Sequence, residues 1–145
     1  MRVIPRGCGA AHPQRSREVV GNALRYFSEH FREAIAMQEV AEAIGISEEC
    51  LDFCFDQSRG MTPFQALQHH RLNRLFQRIS EQPGQQLGQA IRQCGLPSTG
   101  HTVTAFEEAF GIGMTPFRRT CRRALADRQF RQHQPQREQL VLATP

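Results

Sequence analysis

An all-α fold of seven helices is what the sequence predicts, on three observations. Apolar residues recur at three- and four-residue spacing, and no segment shows the strict alternation of a strand. Glycine or Pro-Gly breaks punctuate the periodic segments, at Gly45, Gly60, Pro83-Gly84, Gly95 and Gly113. The tetrapeptide Gly-Met-Thr-Pro occurs twice, at 60–63 and 113–116, so the same arrangement is used a second time.

The elements follow in order. Val19, Val20, Ala23, Leu24, Phe27 and Phe31 place one apolar face on a helix over about 18–31. Val40, Ala41 and Ile44 do the same for a short helix from Met37 to Ile44, which Gly45 ends because a C-terminal cap needs positive φ. Ser47 is the natural N-cap of a helix over 48–58, with Leu51, Cys54, Phe55 and Ser58 on one side. Thr62 caps, and Pro63 opens, a long helix that turns Phe64, Leu67, Leu72, Leu75, Phe76 and Ile79 inward until Gln82-Pro83-Gly84. A short helix at 85–94 then ends at Gly95, a helix capped by Ser98 spans 98–110, and a last helix runs from the second Gly-Met-Thr-Pro to about 129. Residues 1–16 and 131–145, rich in Pro, Gln and Arg without sustained periodicity, read as mobile tails.

With 145 residues the chain has room for one ordinary domain or two very small ones. Its 39% apolar and 22% charged residues are those of a globular protein rather than a disordered one. No apolar run approaches the roughly 20 residues of a membrane span, and residues 1–17 lack the apolar core of a secretory signal, so a cytoplasmic location is expected. Five cysteines without a C-x-x-C pair argue against a disulfide framework or a zinc site.

All 18 basic residues are arginine, and the net charge of +4 conceals an alternation. Residues 33–58 carry five Glu and two Asp with no Arg, whereas 59–92 carry five Arg against Glu81 and 111–145 carry seven Arg against Asp127 and Glu138. Basic segments and a pI near 9.1 fit an anionic partner such as nucleic acid.

A short helix, a glycine-centred turn and a second helix form a helix-turn-helix, whose second helix can enter a DNA major groove. Here the pattern occurs twice, separated by one long helix, which is far more specific than a single copy. Met37-Gln-Glu-Val-Ala-Glu-Ala-Ile-Gly45-Ile-Ser47, then Leu51, Phe55, Gly60-Met-Thr-Pro63 and Arg71-Leu72, resemble the first unit and linker helix of the AraC/XylS family of bacterial transcription regulators. Gly95, Phe106, Phe110, Gly111 and Thr115-Pro116 resemble its second unit. The resemblance covers roughly residues 18–126 and is closest to stand-alone members, in which the DNA-binding region is the whole protein.

That resemblance implies residues 17–81 as the first helix-turn-helix unit with its linker helix and 82–130 as the second unit. It implies that helices 48–58 and 98–110 enter successive major-groove segments of double-stranded DNA, with one chain binding as a monomer. Carried over position by position, base readout falls on Glu49, Asp52, Phe53, Thr99, Gly100, Val103 and Thr104, with Glu48, Asp56, His101 and Glu107 beside them. Phosphate contacts fall on Ser47, Arg59, Arg74, Ser98, Arg118, Arg119 and Arg122, with Arg78 and Arg123 adding to the basic faces.

The chain departs from the family where acids replace polar or basic groove residues in helix 48–58. A carboxylate is repelled by phosphates, although it can accept from a cytosine amino group. Gly100 lowers the stability of a helix interior by about 1 kcal/mol relative to Ala, so that helix is marginal or starts later than residue 98. Thr102 stands where a core hydrophobe is expected, and Arg71 reads as a structural linker residue paired with a carboxylate.

Catalysis is not expected. Cys50 and Cys54 with His69, His70 or His101 lack the spacing of a closed metal shell, Cys8 and His12 sit in a tail, and no strand precedes a glycine-rich loop that could cradle phosphate. Neither a cofactor nor a metal is expected. The leading expectation is a sequence-specific DNA-binding transcription regulator without enzyme activity. The alternative is a diverged member that acts through protein contacts, with RNA polymerase or another regulator.

Overall fold

The computed structural model describes residues 13–142, with side chains described through residue 132. Seven helices follow one another: α1 (Pro13–His30), α2 (Met37–Ile44), α3 (Glu48–Arg59), α4 (Pro63–Glu81), α5 (Leu87–Gln93), α6 (Gly100–Phe110) and α7 (Met114–Leu142). The all-α expectation holds among the described residues.

Two features decide where these helices start and stop. Gly45, Gly60 and Gly111 adopt the left-handed conformation and close α2, α3 and α6, each returning its N–H to a carbonyl of the preceding turn. At the start of α4, Thr62 and Gln65 form a reciprocal capping box at 3.0 and 3.1 Å, with Pro63 as the first helical residue.

Helix α4 runs through one apolar core from end to end, with an aromatic group at each end. The first is built from Val19, Ala23 and Phe27 of α1, Val40 of α2, Leu51 and Phe55 of α3, and Leu67 of α4, with the Phe27 and Phe55 rings stacked at 6.3 Å. The second gathers Phe76 of α4 with Phe106 and Phe110 of α6 and Phe117 of α7, the closest ring centres lying 4.2 Å apart. Fully burying an aromatic side chain stabilises a fold by about 1.5–3 kcal/mol, so buried Phe106 anchors this end, with half-buried Phe76 and Phe110 packed around it.

Several boundaries and contacts differ from expectation. Helix α1 begins at Pro13 rather than 18, so residues 13–16, expected in a tail, are helical; buried Ser16 donates to Gln57 Oε1 at 2.6 Å and ties the start of α1 to the end of α3. Helix α7 continues to Leu142 rather than ending near 129. The rest of the expected tails, residues 1–12 and 143–145, lies outside the described residues. Helix α6 starts at Gly100, the later start that the glycine implied, which puts it in the first turn and removes its interior penalty. Phe64, expected in the core, is 50% exposed because the capping box fixes the helix start and turns that position outward.

Arg71 is buried as a structural residue, but its partners are backbone carbonyls and not a carboxylate. Its Nε donates to the Phe31 carbonyl at 2.9 Å and its Nη2 to that of Glu33 at 2.8 Å. Thr102 occupies its core position with a partner, its hydroxyl donating to the Pro97 carbonyl at 2.6 Å. Cys54, Cys94 and Cys121 are reduced thiols, and burial pushes all three up in pKa. Cys50 is disulfide-bonded. That bond corrects the reading of the cysteines, because pairing depends on proximity in the fold and not on spacing along the chain.

Candidate nucleic-acid interface

The two units are built alike at their turns and differently at their recognition helices. In the first, Gly45 reverses the chain after α2, the Ile46 N–H bonds back to the Ala41 carbonyl, and Ser47 Oγ accepts from the Cys50 N–H at 3.1 Å. Ser47 thus caps α3, and its exposed hydroxyl stands at the helix N-terminus, where the backbone favours an anion. In the second, Thr99 is the N-cap of α6 without a side-chain cap bond, and Ser98 lies exposed in the turn before it.

Helix α3 buries Cys50, Leu51, Cys54 and Phe55 and turns Glu48, Glu49, Asp52, Asp56 and Arg59 outward. Phe53 is half-buried against the core, which leaves only part of its ring for another molecule. The outward face of α3 is therefore acidic except for Arg59 in its last turn. The opposite charge at its N-terminus favours Glu48 and Glu49 there, which accounts locally for acids in the first turn.

Helix α6 buries Thr102 and Phe106 and exposes Gly100, His101, Val103, Thr104 and Glu107. Val103 is 45% exposed, an apolar side chain in the middle of a solvent-facing stripe. Thr104 donates its hydroxyl to the Gly100 carbonyl at 3.0 Å, leaving the hydroxyl oxygen free to accept. His101 lies to the side of this stripe, in a groove of about 400 Å³ between α4 and α6. Phe64, Gln65, Gln68 and His69 line the groove from α4, and sequence reasoning missed them. Their signal was the run of polar residues at positions 65, 68 and 69 in the first half of α4.

The arginines separate into three sets. Arg119, Arg122 and Arg123 are exposed on α7. Arg118 is half-buried, and its Nε donates to the Pro83 carbonyl at 2.9 Å, so it fastens α7 to the turn between α4 and α5. Arg74 lies nine residues beyond Gln65, about two and a half helical turns, and so on the opposite side of α4 from the groove. It sits 5.3 Å from the centre of the Phe31 ring. Arg71 and Arg78 share that side. The structure thus gathers Arg32, Arg74 and Arg78 at one pocket, away from the groove beside α6.

Among the described residues, no group of three or more His, Cys, Asp or Glu side chains is placed to hold a metal ion, and no helix is long and apolar enough to cross a membrane.

The likenesses to known proteins follow this geometry. A transcriptional regulator from Chromobacterium violaceum, described among AraC-type DNA-binding domain-containing proteins, is 24% identical, with a TM-score of 0.68 over 73% of this chain and 94% of that one. The C-terminal domain of AraT, a response regulator from Geobacillus stearothermophilus, is 22% identical, with a TM-score of 0.63 over 70% of this chain and 84% of that one. A protein from Listeria innocua described as of unknown function is 19% identical, with a TM-score of 0.61 over 70% and 95%. No curated protein matches the chain. The family model for a helix-turn-helix domain matches residues 40–120, more than half the chain, and takes in both glycine turns and both recognition helices. The chain belongs to the helix-turn-helix family in its AraC-type, two-unit form.

Proposed function

We propose that this protein is a DNA-binding transcription regulator that reads two successive major-groove segments of one duplex. The observation that carries the reading is the duplication itself: α3 and α6 each follow a short helix and a left-handed glycine turn, Gly45 or Gly95, and α4 sets the distance between them. Two recognition helices in one chain reach two groove segments without dimerising.

Base readout is assigned to Glu49 and Asp52 on α3, each able to accept from a cytosine amino group, with the exposed edge of Phe53 beside them. On α6 it is assigned to Val103 against a thymine methyl and to Thr104, with Thr99 and Gly100 letting the backbone approach the bases. Arg59, Arg119 and Arg122 contact phosphates, as do Ser47 and Ser98 at the helix N-termini. Arg118 shares this role with its structural bond to Pro83.

The test is an anisotropy titration of the wild type and the Arg119→Ala, Arg122→Ala double variant against one duplex over a range of salt. Loss of two phosphate contacts reduces the slope of log affinity against log salt by about 2. An unchanged slope removes these residues from the interface.

One observation favours a second reading, in which a diverged member acts through protein contacts such as RNA polymerase. Four acids face outward on α3, where phosphates repel them. This reading predicts no duplex binding at low salt.

A further inference from the structure

On the side of α4 away from the α6 groove, three guanidiniums converge on a small pocket. It lies where the end of α1, the second half of α4 and the end of α5 meet, with a volume of about 50 Å³. Arg32 and Arg74 lie 5.4 and 5.3 Å from the centre of the same Phe31 ring, which holds both heads in place through their attraction to its π face. Arg78 lines the pocket too, its Nε donating to Gln85 Oε1 at 2.9 Å. The side-chain oxygens of Gln77 and Gln93 already accept, from Arg74 Nη1 at 3.2 Å and from Gln85 Nε2 at 2.8 Å. Their amide nitrogens remain as donors beside the arginines.

The charges in this pocket do not balance. Glu81 is the one carboxylate that lines it, and among the described residues none of the three arginines forms an ion pair. The buried Cys94 thiol at its base is raised in pKa by burial, while Arg78, Arg74 and Arg32 all act to lower it. The positive potential of all three therefore reaches one point. Like charges gathered this way repel unless an anion joins them.

We infer that this pocket binds a phosphate group, either inorganic phosphate or the phosphomonoester of a small molecule. Planar guanidiniums with paired N–H groups match a tetrahedral oxyanion better than they match chloride. A pocket of this size takes one such head group. A phosphate held here bridges Arg32 at the end of the first helix to α4 and α5, and so fastens the first unit to the second. None of the duplex contacts proposed on α3, α6 and α7 lines this pocket.

The experiment is a thermal melt of the whole chain in inorganic phosphate and in chloride at matched ionic strength, with Arg32→Gln and Arg74→Gln as variants. Both positions are exposed, so the variants are expected to melt like the wild type in chloride. Phosphate at about tenfold its Kd raises the wild-type Tm on the order of 5 °C, and the variants lose that shift. The affinity of Arg32→Gln for a random duplex, measured in chloride, changes by less than about twofold because Arg32 is not among the duplex contacts. An equal rise in chloride, or a rise that survives in both variants, overturns the proposal. A parallel loss of duplex affinity also overturns it, by assigning the pocket to the DNA backbone.

Discussion

Arg71 on α4 donates from Nε to the carbonyl of Phe31 at 2.9 Å, closing a contact across forty positions of sequence between the linker helix and the end of α1. Its Nη2 reaches the Glu33 carbonyl at 2.8 Å and its Nη1 reaches Gln68 Oε1 at 3.3 Å, so one buried guanidinium satisfies the chain as it leaves α1. Replacing Arg71 with Met keeps the stem's packing but leaves two carbonyls without their donor. The expected loss of stability is about 2–4 kcal/mol, read from urea melts. Arg71→Lys recovers only part, since one ammonium cannot reproduce the fork. A loss below 0.5 kcal/mol, within the range of an ordinary surface substitution at about ±0.5, contradicts this role.

Gly95 lies against the same Phe31 carbonyl. Its φ is +77°, and a Cβ there would collide with that oxygen. Gly45 is equally left-handed at +85° but opens onto empty space. Gly95→Ala is therefore expected to destabilise by about 2–4 kcal/mol and Gly45→Ala by about 1 kcal/mol, the second being conformational strain alone. Equal Tm losses for the two variants would show that the carbonyl moves aside.

His70 follows from its surroundings. Burial lowers its pKa, and Arg74 and Arg71 lower it further; its Nε2 is buried without a partner, and its ring meets Phe31 edge-on at 5.3 Å. A histidine depressed in the folded state takes up its proton more readily when unfolded. Its contribution is present above the unfolded value of about 6.5 and is lost as pH falls toward the folded value. Stability of the wild type is expected to decline from pH 7 to pH 5 more steeply than that of His70→Gln, by denaturant midpoints at each pH. Parallel pH profiles would remove His70 from the acid response.

Asp52 tests the charge of α3. If it faces the duplex, Asp52→Asn removes a repulsion, and non-specific affinity at low salt is expected to rise severalfold, by about 1 kcal/mol. An unchanged affinity places Asp52 in solvent.

Helix periodicity and the glycine turns made the architecture legible in the sequence, because each is a local property. What depends on a distant partner was not legible. Arg71 was readable as structural, but its acceptors are carbonyls at the end of α1, which no side-chain pattern reveals. The two Gly-Met-Thr-Pro copies look equivalent, yet Thr62 caps α4 whereas α7 starts at Met114, with Gly113 O accepting from the Phe117 N–H. Arg74 sits on a regular arginine stripe, and only the packing of Phe31 beneath it shows that the stripe faces away from the α6 groove. The outward positions of α3 and α6 were legible because 3.6-residue periodicity separates them from Leu51, Phe55 and Phe106.

The most direct test of the central claim is selection from a random duplex pool by the purified chain, with affinity read at low and at physiological salt. The account predicts an enriched motif of two half-sites about one helical turn apart, with bound affinity falling as salt rises. Absence of any enriched motif, or no binding even at low salt, would contradict it.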